Sequence, residues 1–274
     1  MAPVKGNVKD IQEFLRGLGI KKKLFETSMA LKCTLIGLKT GFLWDTCLPP
    51  SPTALLGLQA HCESAEVISL VHCHFKKMHP SSITLHTQVL ILLLEGDTLV
   101  TTRENLQRLL NDLKEAPPVF VGFGHLEERP ILVDLPVEER EGVLRVVENV
   151  AVSKEKVIEV EVEGLNLSSL VGILLGFPAV YNFSDQVGNP LGNMDLVVLQ
   201  MEVSLKEGDP QKAHVTPVSF SLPLHLKAET EVVKGLHLWW RKLSGGLAWA
   251  QPFTIGELAI ALSQQVQNLP SVIL

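Results

Sequence analysis

The alternation of apolar and charged side chains is clearest between residues 156 and 183, where it predicts a strand, a helix and a second strand. Between positions 158 and 163, three apolar residues alternate with three glutamates, which is the period of a half-exposed strand. Leucines then recur at helical spacing as far as Gly176, which stands where a helix C-cap is expected. Pro178 begins a second extended run that contains Tyr181, the only tyrosine. This unit indicates an α/β organisation.

The rest of the chain continues the pattern of helices that alternate with strands. Residues 8–18 and 21–38 are predicted to form a helical pair. Residues 83–100 and 195–221 are predicted as antiparallel strand pairs, because turn residues interrupt each of them. The glutamates of the strand near 157–162 need water, so that strand is expected at a sheet edge or on a half-open sheet. We therefore expect an α/β fold with an α+β tendency, in which helices flank a mixed parallel and antiparallel sheet.

Capping signals locate several helix ends. Thr101-Thr-Arg-Glu104 is interpreted as a capping box that opens a helix. Ser51 before Pro52 is a favourable N-cap with proline in the first helical position. A long helix is predicted from about 224 to 243, with Gly245-Gly246 as its end, and the tail from 253 to 274 is apolar enough to pack.

Length and composition are those of a folded globular protein. The chain has 274 residues, of which 46% are apolar and 20% are charged, a balance that excludes intrinsic disorder. No strong break in composition divides it. We therefore expect a single globular domain over residues 1–274, with an N-terminal helical segment at about 8–38.

Charge and hydropathy limit the partners that we expect. The net charge of −6, from 24 basic and 30 acidic residues, argues against nucleic acid. The longest apolar run, residues 89–94, is much shorter than the roughly 20 residues of a membrane span, so no membrane partner is predicted. Residues 1–19 lack the apolar block of a secretory signal. We expect a soluble cytoplasmic or nuclear protein with reduced cysteines, and its oligomeric state is open.

His72-Cys73-His74 is the candidate for metal binding. On a strand, the two imidazoles would project from one face about 7 Å apart. A structural zinc site needs four ligands, and no second pair at Cys-x-x-Cys or His-Glu-x-x-His spacing accompanies these two histidines. Two histidines on the exposed face of a strand explain the motif better, so no metal is predicted.

Asp45-Thr-Cys47 is the candidate for chemistry. It lies at the carboxyl end of the predicted strand 41–45 and before a helix N-terminus, where open α/β sheets bind ligands and where a thiol pKa is lowered. If that strand is a neighbour of the strand predicted at 67–75, His74 would face Cys47, and Asp45 would orient the imidazole. The site would suit a thiol-dependent hydrolase or a small-molecule binder. The alternative is a small apolar cysteine in a turn.

Trp239-Trp240 is the candidate for a partner surface. Neighbours on a helix diverge by about 100°, so the two indoles cannot both face the core. One exposed indole would form a protein-binding surface with the tail, or the second would pack beneath that tail. No dinucleotide fingerprint, phosphate loop or nucleophile elbow occurs, so no cofactor is predicted. The preferred interpretation is a non-catalytic protein-interaction module whose partner is a protein and whose activity is otherwise unknown.

Four short segments carry a resemblance to a known family. They are Gly37-Leu-Lys with Leu43-Trp-Asp45, Leu175-Gly-Phe-Pro-Ala-Val-Tyr-Asn-Phe183, Asp195-Leu-Val-Val-Leu-Gln200 and Leu269-Pro-Ser-Val-Ile-Leu274. In this order they resemble the vertebrate homologues of chromosome 1 open reading frame seventy-four, which carry a domain of unknown function. The resemblance implies a single soluble α/β domain over most of the chain, and it implies no activity, cofactor or site.

Overall fold

The computed structural model describes most of the chain as helices and strands with defined boundaries. It describes residues 8–21, 23–44, 51, 54, 89–94, 97–123, 129–160, 162, 164–183, 191–206, 214–255 and 258–269. The helices within these ranges are α1 (Val8–Gly17), α2 (Leu24–Leu35), α3 (Arg103–Glu115), α4 (Val137–Val152), α5 (Leu167–Leu174) and α6 (Thr230–Ser244). The strands are β1 (Gly41–Leu43), β2 (Val89–Leu94), β3 (Asp97–Thr102), β4 (Val119–Gly122), β5 (Ile131–Val133), β6 (Val157–Glu159), β7 (Ala179–Tyr181), β8 (Met194–Leu205), β9 (Val215–Pro223), β10 (Phe253–Ile255) and β11 (Leu258–Leu269).

The longest strands form an antiparallel sheet with the order β10-β11-β8-β9. β11 pairs with β8 over twelve residues, from Leu258 opposite Leu205 to Leu269 opposite Met194. The register is marked by side-chain hydrogen bonds across the two strands, Gln265 to Gln200 and Asn268 to Asp195, each 2.9 Å long. Since β8 is buried on both faces from Leu196 to Leu199, this strand is the centre of the sheet.

A second four-stranded sheet has the order β1-β3-β2-β6. β2 and β3 form an antiparallel hairpin, as predicted for residues 83–100 over the part that the structure describes. Among the described strands, β6 runs parallel to β2 and lies at the edge of this sheet, one of the two positions inferred from its glutamates. Glu159 is exposed there, whereas Val160 and Val162 turn inward and are buried.

The short strands form a third sheet, with the order β5-β4-β7. β4 is antiparallel to β5 and parallel to β7. Mixed pairing was therefore predicted correctly, but the described strands are divided among three sheets instead of forming one. The division follows from strand partners that lie far apart in sequence, which local alternation of side chains does not specify.

Helix α2 lies between the first two sheets and contacts α1, β1, β3 and β9. Nearly all of its residues from Thr27 onward are buried. Met29 and Cys33 pack into the core beside β8 and β9, whereas Leu31 and Leu35 pack against α1. A helix with apolar neighbours on several sides is expected to show little amphipathic character, and the sequence of α2 follows that rule.

Two helix ends occur where the sequence predicts them. After α5, Gly176 adopts a positive φ of 76°. The Gly176 amide donates a hydrogen bond to the Ile173 carbonyl, and the Phe177 amide donates one to the Gly172 carbonyl. This pair of hydrogen bonds is the Schellman motif. α6 ends at Gly245, which has a φ of 70°, and the Gly246 amide bonds to the carbonyl of Arg241.

The start of α3 differs from the predicted capping box. Thr102, and not Thr101, is the N-cap, and its hydroxyl accepts a 3.2 Å hydrogen bond from the Asn105 amide. Thr101 still belongs to β3, and its hydroxyl donates to the carbonyl of Thr40 at 2.5 Å. The strand thus extends two residues beyond its predicted end at 100, and the Thr101 side chain bonds to the neighbouring loop.

None of the helices within the described residues combines the length and the apolar character that crossing a membrane requires.

Candidate functional site

A groove of about 1390 Å³ lies between α3 and α6. Its walls are completed by the loop at 37–40, the chain at 116–120 and the segment that follows α5. We call it the α3–α6 groove. Pockets for small molecules usually enclose about 300–1,000 Å³, so this groove is larger than a typical metabolite site.

A buried asparagine fixes one wall of the groove. Asn105, only 2% exposed, lies in the first turn of α3. Its carboxamide nitrogen donates to the carbonyls of Thr34, Lys39 and Thr40 at 2.8, 3.2 and 3.1 Å. These hydrogen bonds tie the end of α2 and the loop before β1 to α3, in addition to the bonds that the Thr34 and Thr40 carbonyls accept from the Gly37 amide and the Thr101 hydroxyl. Asn105 therefore determines the shape of that loop.

Arg108, one turn further along α3, adds a cation to the same wall. Its guanidinium donates to the carbonyl of Gly37 at 3.2 Å and to the carboxamide oxygen of Asn105. Burial lowers the pKa of Arg108 to about 10, although the nearby Asp112 and Glu104 carboxylates act in the opposite direction. At neutral pH the guanidinium is still charged, so the wall carries a fixed positive charge.

Aromatic side chains line the groove at α6. Trp239 is half-buried and meets Phe220 edge to face, with ring centroids 5.4 Å apart. Phe177 continues the cluster, 5.7 Å from Phe220. Edge-to-face contacts of this kind hold an indole in a defined orientation. Trp239 therefore presents a rigid apolar surface to the groove.

The charge of the groove lining is opposite in sign to that of the chain. Six basic side chains (Lys39, Arg108, Arg140, Lys234, Arg241 and Lys242) line it against four acidic ones (Asp112, Glu115, Asp134 and Glu231), whereas the whole chain has a net charge of −6. Two of these pairs form salt bridges, Lys242 with Asp112 and Lys234 with Glu231. The excess of basic side chains therefore gives the groove a positive balance.

Gly176 allows the segment after α5 to lie close to Thr40 in the groove wall. A Cβ built on this residue would collide with the hydroxyl oxygen of Thr40. We expect Gly176→Ala to lower the free energy of unfolding by more than 1 kcal/mol, roughly the cost of a positive φ in a residue other than glycine, because the collision adds to that strain. Chemical denaturation measures this change.

Gly164→Ala is the matched control for this prediction. Gly164 has nearly the same φ, 75°, but among the described residues other than its chain neighbours no atom lies within 4 Å of the position that a Cβ would take there. The control should show the backbone strain alone. Equal destabilisation by the two substitutions would show that the contact with Thr40 does not limit the structure.

Of the predicted site residues, the described part of the chain includes one pair, Trp239 and Trp240. Trp240 is fully buried, and its indole nitrogen donates to the carbonyl of Ala248 at 3.0 Å. It offers no surface to a partner, because the chain after α6 covers it. Trp239 lies in the groove lining. A partner surface at this position stays a prediction, and burial restricts it to Trp239.

The other predicted site residues lie outside the described residues. These are Asp45, Cys47, His72 and His74. The proposed Cys47–His74 pair, the metal pair His72 and His74, and the small-molecule site near Asp45 therefore stay predictions. Within the described ranges, no group of three or more His, Cys, Asp or Glu side chains could hold a metal ion.

Cys33 is the cysteine that the structure describes, and it is no nucleophile at neutral pH. It is completely buried in α2. Burial raises the pKa of its thiol from 9.0 to about 12, against the opposing effect of Lys39 and Lys32. A thiol that stays protonated is a packing group, as its contacts with the core indicate.

Sequence analysis did not identify Asn105 and Arg108. Asn105 stands in the first turn of a helix that the capping pattern already explained, where polar residues are ordinary, and Arg108 follows one turn later. Their role depends on carbonyls about seventy positions away in the chain. No pattern among neighbouring residues indicates a contact across that separation in sequence.

The comparisons with known proteins identify a family and no activity. No curated protein and no solved structure matches the chain significantly. One family model, described as Domain of unknown function (DUF4504), matches residues 33–274. That span includes every element from the end of α2 onward, and with them both walls of the α3–α6 groove. The chain therefore belongs to the family of proteins with this domain of unknown function.

Proposed function

We propose that the chain is a non-catalytic protein-interaction module, and that its α3–α6 groove binds an acidic segment of a partner protein through an apolar anchor on Trp239. The observation that carries this proposal is the combination of a half-buried indole with a positive balance of charges in a groove larger than a typical metabolite pocket.

The aromatic part of the groove supports binding of a side chain. Aromatic residues dominate the energy of protein interfaces, above all where they are held rigid beside a water-excluding rim. Trp239 has a related setting, since it meets Phe220 edge to face and charged residues of α3 and α6 line the same groove. An apolar side chain of the partner would pack against the exposed part of the indole.

The charges of the groove support an acidic partner. Complementary charge speeds encounter and suppresses wrong partners. Arg241 and Lys234 lie on the α6 side of the groove, and Arg108 is held in the opposite wall. A segment with several carboxylates would meet this positive balance, whereas a basic segment would be repelled.

Site-specific photo-cross-linking in cells tests the proposal. In one variant a photoreactive amino acid replaces Lys234, which lines the groove. In the control it replaces Val152, which is 75% exposed and does not line the groove. We expect a protein adduct from position 234 and none from position 152. The cross-linked peptide, sequenced by mass spectrometry, should have a net negative charge.

Trp239→Ala in the cross-linking protein completes this experiment. Loss of an aromatic anchor should reduce the adduct about tenfold or more, while circular dichroism confirms that the protein is folded. An adduct that is equal from both positions, that persists without the indole, or that contains a basic peptide would contradict the proposal.

We also propose that the family member is a vertebrate homologue of chromosome 1 open reading frame seventy-four, and that it works in the cytoplasm or nucleus. Support comes from the four collinear segments named above, all of which lie within the matched residues 33–274. The reduced, buried Cys33 agrees with such a compartment. Fractionation of cells that express the tagged chain tests the location.

A further inference from the structure

We propose that two copies of this chain pair through the outer edge of β11, antiparallel and centred on Gln265. This interface would join two antiparallel sheets into one continuous sheet. It is independent of the α3–α6 groove, because no residue from 258 to 269 lines that groove.

The outer edge of β11 is open over most of its length. β8 occupies one side of the strand from Leu258 to Leu269. On the other side, β10 covers only Leu258 to Ile260. Within the part of the chain that the structure describes, no strand pairs with that side over residues 261–269, which span about 30 Å. We call these residues the β11 edge.

The β11 edge lacks the features that usually protect an open strand. Soluble proteins place charged residues or proline on such edges to prevent pairing between molecules. Residues 258–269 are Leu-Ala-Ile-Ala-Leu-Ser-Gln-Gln-Val-Gln-Asn-Leu, with no charged residue and no proline. Val266, in the middle of the open part, is 55% exposed. An edge of this composition is suited to pairing.

The opposite edge of the same sheet shows the contrast. β9 contains Pro217 and Pro223, neither of which can donate to a further strand. The Lys39 ammonium donates to the carbonyl of Pro217 at 2.9 Å, and α2 contacts the strand. One edge of the sheet is thus blocked, and the other is left available.

A second copy suits the β11 edge because the edge is self-complementary. A two-fold interface places the same surface on both sides, so like charges at its centre would repel. This edge is neutral although the chain has a net charge of −6. Gln264, Gln265 and Asn268 are exposed amides. Gln265 and Asn268 each donate one hydrogen bond to β8, and their remaining donor and acceptor positions are open to a second copy. With Gln265 opposite its own copy, Gln264 of each chain would face Val266 of the other.

Charge-swap variants of the full chain test this pairing by sedimentation equilibrium. We expect the wild-type chain to form dimers in a concentration-dependent manner. Gln265→Lys and Gln265→Glu each place like charges opposite each other, so each should raise the dimer dissociation constant about fivefold or more. An equimolar mixture of the two variants should restore dimers, since opposite charges then meet. Val152→Lys, on an exposed site in α4, should leave the dissociation constant unchanged.

Three results would overturn the proposal. The first is a wild-type chain that is monomeric at every concentration. The second is a dimer that is equally stable in both charge variants. The third is a monomer whose β11 amides are already protected from hydrogen exchange, because a segment of the same chain would then cover the edge. Restoration by the mixture cannot arise from misfolding, so it separates a pairing defect from a folding defect.

Discussion

Trp240→Ala is expected to lower the free energy of unfolding by about 4 kcal/mol, which is within the range found when a fully buried tryptophan is truncated to alanine. The indole is 0% exposed and meets Trp249 and Phe253 edge to face, with ring centroids 6.3 and 5.6 Å away. Truncation would leave a cavity between α6 and the chain that follows it, and it would leave the Ala248 carbonyl without its donor. Denaturant unfolding measures the change.

Trp240→Phe separates the two contributions to this loss. Phenylalanine keeps most of the apolar contact but cannot donate to Ala248, so about half of the loss is expected. Trp239→Ala, at the half-buried neighbour, should cost less than Trp240→Ala because its indole already contacts water. A greater loss at position 239 than at 240 would mean that α6 packs on the other face.

Asn105→Ala is the second substitution with a large expected effect, about 3 kcal/mol of unfolding free energy. Three carbonyls of the segment from Thr34 to Thr40 would lose the carboxamide that serves them. Arg108 would also lose an acceptor for its buried guanidinium. The loss of these four buried hydrogen bonds accounts for the cost, although the Thr34 and Thr40 carbonyls keep the bonds from the Gly37 amide and the Thr101 hydroxyl.

Asn111→Ala provides the matched control in the same helix. Asn111 is exposed in the second half of α3, so its loss should change stability by less than about 0.5 kcal/mol. Hydrogen exchange of the amides at 37–40 offers a second measurement, because Asn105→Ala should accelerate it and Asn111→Ala should not. Equal stability of the two variants would contradict the proposed role of Asn105.

Side-chain periodicity predicted the type of most described elements. The helical pair at the N-terminus, the hairpin of β2 and β3, the pair of β8 and β9, and the helix that ends at Gly245 are all present. These elements have strong local causes, namely apolar residues at a fixed period and glycine where φ is positive. The tail was predicted only to pack. Its β10 and β11 were missed, because uncharged glutamines hid the alternation of a strand.

The candidate site was less accessible to prediction. Two adjacent tryptophans indicated that one indole would be more exposed, and the structure shows that this one is Trp239. Which of the two it would be depends on how α6 rotates against Phe220 and on the chain that returns over Trp240. That rotation is a property of packing, which the order of residues in one helix does not reveal.

Sequence by itself determined that this chain builds helices and half-exposed strands with mixed pairing, because those choices depend on neighbours within a few positions. It also determined where two helices stop, since only glycine adopts the positive φ of those ends without strain. Tertiary structure alone decided how the strands divide into three sheets, which wall Asn105 supports, and which edge of β11 is left open. These outcomes depend on contacts between residues far apart in the chain, such as the 71 positions from Thr34 to Asn105.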